Sequence, residues 1–184
     1  PGDRAARHHA PHHREAPAMS VLPLKDRLVF DRAKGTIMDE TRRYMLIRPE
    51  ALMGIFTRLP PGEAMVALQA FMASVHQMGF DSASAYARHA GGTGEGLVKI
   101  VEDSAPDLGW GRWRFDLAPR RLVLTVEGTP FAAGHGPSKT PVCHAIVGMV
   151  RAVAGLVFER PVSAEETRCA ATGAPDCRFE AKPA

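Results

Sequence analysis

Three cysteines and one glutamate towards the C-terminal end constrain the fold of this chain more than any other feature. Cys143 stands alone, Glu166, Cys169 and Cys177 follow as a group, and the chain has no further cysteine. The Thr-Gly-Ala-Pro-Asp segment between Cys169 and Cys177 is typical of a turn, so a hairpin would bring these two sulfurs together. Thiolates with a carboxylate suit Zn²⁺, which prefers four ligands in tetrahedral geometry. Such a metal would join the segment of Cys143 to the terminal hairpin.

The spacing of the cysteines leaves two other interpretations open. They form no Cys-x-x-Cys pair, and an unpaired cysteine is often a small buried apolar residue. A disulfide is the less favoured alternative, because no secretory signal is recognisable before the domain and one thiol would be left over.

Composition limits the classes of protein that this chain can represent. Of its 184 residues 45% are hydrophobic and 23% are charged, as is typical of a globular domain. The net charge is only +3 and no basic stripe with interleaved aromatics is present, so nucleic-acid binding is not indicated. No apolar run reaches the ~18 residues that a membrane span needs. We therefore expect a soluble, cytoplasmic protein.

The first 18 residues differ from the rest. Residues 1–18 hold four of the eight histidines and three prolines, and they show no apolar periodicity. This composition predicts a disordered leader, with Met19 as a plausible native start. Residues 19–184 are predicted to form a single domain.

Apolar periodicity, interrupted by Pro and Gly, predicts a mixture of helices and strands. Helices are predicted over residues 50–59, 63–89, 97–104 and 138–158, and strands over 42–47, 111–117, 121–127, 162–170 and 177–181. Residues 21–37 give an irregular lead-in, and the glycine-rich residues 91–96 indicate a flexible break. Helices together with antiparallel hairpins define the α+β class.

The C-terminal half resembles a known family. The residues that carry the resemblance are Pro141-Val142-Cys143-His144, a helix containing Gly148 and Gly155, and then Glu166-x-x-Cys169-Ala170-x-x-Gly173-x-x-x-Cys177-x-Phe179. This pattern resembles the 4-vinyl-reductase domain family, which includes a bacteriochlorophyll-synthesis protein and the sensor domains of aromatic-responsive transcription activators. The resemblance covers about residues 94–183. It implies helices packed beside a small antiparallel sheet, as in the TRAPP vesicle-tethering subunits.

The resemblance also implies a metal. In the sensor branch of the family three Cys and one Glu hold a structural zinc in the same order, so Cys143, Glu166, Cys169 and Cys177 are the implied ligands. Four protein ligands leave no position open, which is typical of a structural site. Three thiolates and a carboxylate exceed the charge of Zn²⁺, so we expect Arg168, Arg178 and backbone N–H groups to offset the excess.

The function implied by the resemblance is tetrapyrrole binding. The sequence contains neither a phosphate-binding loop nor a helix-turn-helix motif, so it looks more like the bacteriochlorophyll branch of the family. We predict a carrier, expected to be a homodimer, that holds a magnesium porphyrin or a divinyl (proto)chlorophyllide intermediate for bacteriochlorophyll-pathway enzymes. Polarisable, aromatic or axially ligating side chains are expected to contact this magnesium tetrapyrrole: Met72, His76, Trp110, Trp113 and His135.

Two alternatives come from other classes of function. The first is a vinyl reductase, which would need NAD(P)H, a flavin or an iron–sulfur relay. Residues 91–96 lack the Gly-x-Gly-x-x-Gly spacing and follow a predicted helix, so autonomous reductase activity is not expected. The second is a sensing module for small aromatic molecules, which a pocket of roughly a few hundred Å³ would favour.

Overall fold

The computed structural model describes residues 22–89 and 94–184. The predicted leader over residues 1–18 lies outside these ranges, as do residues 90–93 of the glycine-rich break. The described residues form helices packed beside a small antiparallel sheet, which confirms the predicted α+β class. The domain limits predicted from the sequence stay a prediction.

A small N-terminal sheet precedes the long helices. It follows the short helix α1 (Leu24–Arg27) and consists of β1 (Val29–Asp31), β2 (Thr36–Asp39) and β3 (Arg42–Tyr44). The three strands pair antiparallel in sequence order, and we call them the N-terminal meander. The sequence prediction missed β1 and β2, since strands of three and four residues are too short to show a period. The strand predicted over 42–47 ends at Tyr44, because residues 45–47 have no sheet partner.

Five further helices make up most of the core. They are α2 (Pro49–Thr57), α3 (Pro61–His89), α4 (Gly94–Asp107), α5 (Pro130–His135) and α6 (His144–Phe158). The helix predicted from residue 138 begins only at His144, since Pro141 disfavours helical geometry in the residue before it. Helix α5 was not predicted. It begins with Pro130 at its first position, and the Thr129 side chain caps it by accepting from the Phe131 N–H.

Helices α3 and α6 form the largest contact between two elements. Gly148 of α6 faces the backbone of α3, and a Cβ there would collide with the carbonyl oxygen of Met72. Gly155, one heptad later, has no such neighbour. The two helices therefore approach most closely at Gly148.

A four-stranded antiparallel sheet closes the domain. Its strands are β4 (Arg112–Ala118), β5 (Arg121–Glu127), β6 (Val162–Arg168) and β7 (Cys177–Pro183), in the order β4-β5-β7-β6. The alternate residues Leu122, Leu124 and Val126 of β5 are fully buried beneath the helices. Over the two described ranges of the chain, no helix combines the length and the apolar character that a bilayer span requires.

Candidate metal centre and apolar cavity

The four residues of the implied metal set converge on one point. Cys143 is the N-cap residue of α6, Glu166 lies near the end of β6, Cys169 follows that strand, and Cys177 begins β7. One ligand atom from each residue lies within 4.8 Å of the others. All three thiols are buried, and Glu166 is half-buried. Three separate elements therefore present one candidate metal centre.

Local backbone features bring the two sulfurs of the hairpin together. The pairing of β6 with β7 is irregular between Glu166 and Arg168, which changes the register just before Cys169. A single 3₁₀ turn (Ala170–Thr172) follows and ends at Gly173, whose φ of +96° suits glycine. The chain then returns as β7, with Cys177 as its first residue.

The sulfur geometry fits a tetrahedral metal rather than a disulfide. The Sγ atoms of Cys143 and Cys177 are 3.7 Å apart. Zn–S bonds of about 2.3 Å in a tetrahedron place two sulfurs about 3.8 Å apart, whereas a disulfide requires about 2.05 Å. The three cysteines are free thiols. The donor set and spacing therefore suit a divalent, thiophilic cation.

Glu166 is oriented for metal binding by one hydrogen bond. Its Oε2 accepts from the N–H of Cys143 over 2.9 Å, and its Oε1 is buried with no hydrogen-bond partner. A buried carboxylate oxygen without a partner is costly unless a cation occupies its lone pairs. Glu166 therefore has one oxygen held by the protein and one available to a metal.

The metal-free cluster ionises only in part. Hydrogen bonds with Cys143 and Cys177 lower the pKa of the Cys169 thiol far below its usual value, and its neighbours are held in their protonated forms. Burial raises the pKa of Glu166 to about 8, and the neighbouring Cys169 adds to this effect. Hydrogen bonds with Cys169 and Cys177, together with burial, raise the pKa of the Cys143 thiol far above its usual range. Four neighbouring anionic groups cannot all ionise by themselves, whereas a divalent cation would stabilise their charged forms.

Two backbone N–H groups donate to the residues of this centre. The Ala170 N–H donates to the sulfur of Cys177 over 3.1 Å, in addition to the Cys143 N–H on Glu166. Arg168, expected to take part, pairs with Asp176 over 2.7 Å instead. Nε of Arg178 lies 3.9 Å from Oε1 of Glu180. Each of the two arginines has a carboxylate beside it on the hairpin, so their expected role at the metal centre stays a prediction.

A separate apolar cavity of about 370 Å³ lies between the N-terminal meander and the helices α3, α4 and α6. Its apolar wall includes Leu28, Ile37, Val75, Met78, Ala83, Val101, Leu108, Trp110 and Met149, and its rim includes Phe30, Met45 and Leu46. Its polar lining residues are Tyr44, Ser74, Ser82, Tyr86, Ser104 and Asp107. Among the residues that the structure describes, no lysine, arginine or histidine lines it. Such a lining suits a small, mostly apolar ligand.

An ion network fastens the meander to α3 beside this cavity. Asp39 of β2 is fully buried and binds Arg27 through Oδ1 over 3.2 Å and Arg42 through Oδ2 over 3.1 Å. Burial would raise the pKa of Asp39, but hydrogen bonds from Arg27 and Arg42 outweigh it and hold the pKa below its usual value. Arg27 also donates to the hydroxyl of Tyr86 on α3 over 3.1 Å.

The residues predicted to bind a tetrapyrrole are not brought together. Trp110 lines the apolar cavity, while Trp113 is buried beside it and donates its indole N–H to the Trp110 carbonyl over 3.0 Å. Met72 lies in a cleft next to Glu166, and His76 lies in another cleft. His135 ends α5, with its Nδ1 3.3 Å from the Gly136 carbonyl oxygen. Their proposed role stays a prediction.

Sequence reasoning did not identify most of the cavity. The prediction singled out Met72 of α3 but not the polar positions of the same helix that line the cavity. A signal was present: Val75, Gly79, Ser82, Ala83 and Tyr86 recur at three- and four-residue spacing and share one face of α3. The contribution of the meander could not be anticipated, because β1 and β2 were not predicted.

Comparisons with known proteins agree with this architecture. Residues 122–183 match the model of the V4R domain, so the resemblance to the 4-vinyl-reductase family is confirmed over that segment. The chain is also similar to the phenol-responsive sensory domain of the transcription activator PoxR, solved with phenol, at 21% identity and a TM-score of 0.76. That likeness covers 87% of this chain and 86% of the other.

Two further solved structures are more distant. A trafficking protein particle complex subunit 3 from Naegleria fowleri, covalently bound to palmitic acid, shares 10% identity over 73% of this chain and 93% of its own, with a TM-score of 0.52. A vinyl-4-reductase family protein from Methanocaldococcus jannaschii shares 15% identity over 77% of this chain and 98% of its own, with a TM-score of 0.45. A comparison with curated protein sequences found no match. At these identities the likenesses show the fold alone.

Proposed function

We propose that this domain is a sensing module that binds a small, neutral, largely apolar aromatic molecule in the cavity between the meander and α3. The observation that carries the proposal is the cavity itself. Its volume of about 370 Å³ and its apolar wall, which includes Trp110, suit a ligand of one or two rings. The fold shared with the phenol-responsive domain of PoxR supports the same class of ligand.

In this proposal the metal is Zn²⁺ and its role is structural. Cys143, Glu166, Cys169 and Cys177 would fill all four positions, so no position is left for a substrate or an activated water. The metal would supply cross-linking: it would fix the start of α6 to the hairpin of β6 and β7. Because Met149 of α6 lines the cavity, the same cross-link would also support one cavity wall.

The second candidate is the tetrapyrrole carrier of bacteriochlorophyll synthesis. It would act as a homodimer and deliver its ligand to enzymes of that pathway. The observation in its favour is the exposed apolar rim of Phe30, Met45 and Leu46, where a macrocycle could project from the cavity. The lining residues that the structure describes include no histidine as axial ligand for a macrocycle and no basic side chain for its propionates. The cavity therefore favours the smaller ligand.

A titration distinguishes these two functions. Purified protein is titrated with phenol-sized aromatics and, separately, with a magnesium porphyrin without reductant, and tryptophan fluorescence and Soret absorption are followed. Saturable quenching by the small ligands, with no stoichiometric shift of the Soret band, is the expected result. Stoichiometric porphyrin binding without small-ligand binding would instead establish the carrier.

A matched pair of variants places the binding event. Ser82 lines the cavity, whereas Ser84 on the same helix is equally half-buried but does not line it. Ser82→Leu should fill part of the cavity and lower the affinity for small aromatics roughly tenfold or more. Ser84→Leu should leave that affinity unchanged, and equal effects in both variants would refute the assignment of the site.

A further inference from the structure

Among the groups that the structure describes, none accepts the hydroxyl proton of Tyr86. Nη2 of Arg27 donates to the Tyr86 oxygen over 3.1 Å. A guanidinium has only donors, so this contact fixes the hydroxyl as the acceptor. The hydroxyl's own proton must therefore find an acceptor elsewhere.

The neighbouring carboxylate does not take this proton. Oδ1 of Asp39 accepts from Nε of Arg27, and Oδ2 accepts from Nη2 of Arg27 and from Arg42. Among the described backbone and side-chain groups, the only hydrogen bond of the Tyr86 hydroxyl is the one from Arg27. Tyr86 is 8% exposed, and it lines the apolar cavity. Its proton is thus left for whatever occupies the cavity.

Two cations strengthen Tyr86 as a donor. The guanidinium carbons of Arg27 and Arg42 lie 5.3 Å and 5.9 Å from the centroid of the Tyr86 ring. Positive charge near an aromatic hydroxyl draws electron density from the O–H bond, so the proton forms stronger hydrogen bonds. Asp39 is buried and holds both arginines in place.

Within the described part of the chain, the only charged side chain that lines the cavity is acidic. Asp107 stands at the end of α4, and its Oδ2 accepts from the backbone N–H of Lys25. The charges of Arg27 and Arg42 are offset by Asp39 and by Glu40, which pairs with Arg42. An anionic ligand would therefore meet repulsion from Asp107 without a cation to compensate.

From these contacts we infer that Tyr86 is a specificity-determining residue, which donates its hydroxyl proton to a neutral oxygen acceptor on the ligand. The inference rests on the proposed function and narrows its ligand class to aromatic molecules that carry a carbonyl, ether or hydroxyl oxygen. Aromatic hydrocarbons of the same shape leave the Tyr86 proton without a partner, and they bind more weakly for that reason.

The test uses two ligands of the same shape. Acetophenone and α-methylstyrene differ in having a carbonyl oxygen or a CH₂ group at the same position. Dissociation constants for both are measured by calorimetry on the wild-type protein and on Tyr86→Phe. The wild type should prefer the ketone about fivefold to tenfold, and Tyr86→Phe should bring this ratio close to one. Benzoate should bind the wild type more weakly than acetophenone.

Ser82→Ala is the control, because Ser82 also lines the cavity but neither Arg27 nor Arg42 donates to its hydroxyl. It should keep the preference for the ketone. A general loss of stability in Tyr86→Phe lowers both affinities and leaves their ratio intact, so the ratio isolates the hydrogen bond. Equal binding of both ligands by the wild type, or an unchanged ratio in Tyr86→Phe, would overturn the inference and leave the proposed function standing. Binding of neither ligand by the wild type would overturn both.

Discussion

The backbone N–H of Cys143 donates to Oε2 of Glu166 across 2.9 Å, and this bond turns the other carboxylate oxygen towards the three thiols. The two residues are 23 positions apart in sequence and belong to different elements. The same contact therefore joins the start of α6 to β6 and orients a metal ligand. It gives the candidate centre a function in folding as well as in metal binding.

Glu166→Ala should weaken metal binding and destabilise the fold. The substitution removes one ligand and leaves the Cys143 N–H without its acceptor, which costs about 1–3 kcal/mol of unfolding free energy before any loss of metal. Zinc content by mass spectrometry and urea unfolding measure the two effects. Glu165→Ala, at the exposed neighbouring position of the same strand, is the control and should change neither. Full zinc occupancy in Glu166→Ala would show that this carboxylate is not a ligand.

The stability gained from zinc should increase with pH. The pKa of Glu166 in the metal-free protein is raised to about 8 from 4.5, so its contribution to stability is complete below about pH 4.5 and disappears as the pH rises through 8. Zinc binding requires deprotonated ligands and strengthens over the same range. The difference in Tm between zinc-loaded and chelated protein should therefore widen from pH 5.5 to pH 8. A constant or narrowing difference would contradict this account.

Asp39→Asn should release the N-terminal meander. It leaves the partly buried Arg27 and Arg42 without their shared carboxylate, at a cost of about 2–4 kcal/mol. Because the pKa of Asp39 is lowered, the wild-type contribution is present above about pH 4, near the usual pKa of 3.8, and is lost on further acidification. Hydrogen exchange of the β2 amides measures the release. Asp31→Asn removes the charge pair with Lys34 but keeps a side-chain oxygen that can accept from the N–H groups of Ala33 and Lys34. It should therefore cost less than about 0.5 kcal/mol.

Gly148→Ala should destabilise the protein although alanine is the better helix former. The new Cβ would collide with the Met72 carbonyl, and the backbone of α3 cannot move aside as a flexible side chain could. We expect a loss of about 1–3 kcal/mol by chemical denaturation. Gly155→Ala meets only the Arg160 carbonyl at 4.0 Å, so helix propensity should dominate and leave its stability equal or higher. Similar destabilisation in both variants would show that the crossing is not centred on Gly148.

The fold class predicted from the sequence is confirmed, and the residues of the implied metal set do converge, whereas most of the cavity was not predicted. The order and spacing of Cys143, Glu166, Cys169 and Cys177 are local signals, and the hairpin that unites three of them is short-range in sequence. The cavity instead depends on contacts between the meander and residues of α3 and α4 far along the chain. A strand as short as β1 contains too few residues for an alternating apolar pattern to be recognised. The contacts of Tyr86 with Arg27 and Arg42 depend on the folded structure and have no local sequence signal.

The most direct measurement is a two-dimensional ¹H–¹⁵N NMR titration of the zinc-loaded protein with acetophenone. The chain has two tryptophans, and only Trp110 lines the cavity, while Trp113 is buried with its indole N–H bonded to the Trp110 carbonyl. The account predicts saturable shifts of the Trp110 indole signal and of the amides of Ser82 and Tyr86, with the amide of Cys177 unmoved. Shifts centred on the cleft beside Glu166, or no saturable shift at all, would contradict the assignment of this cavity as the ligand site.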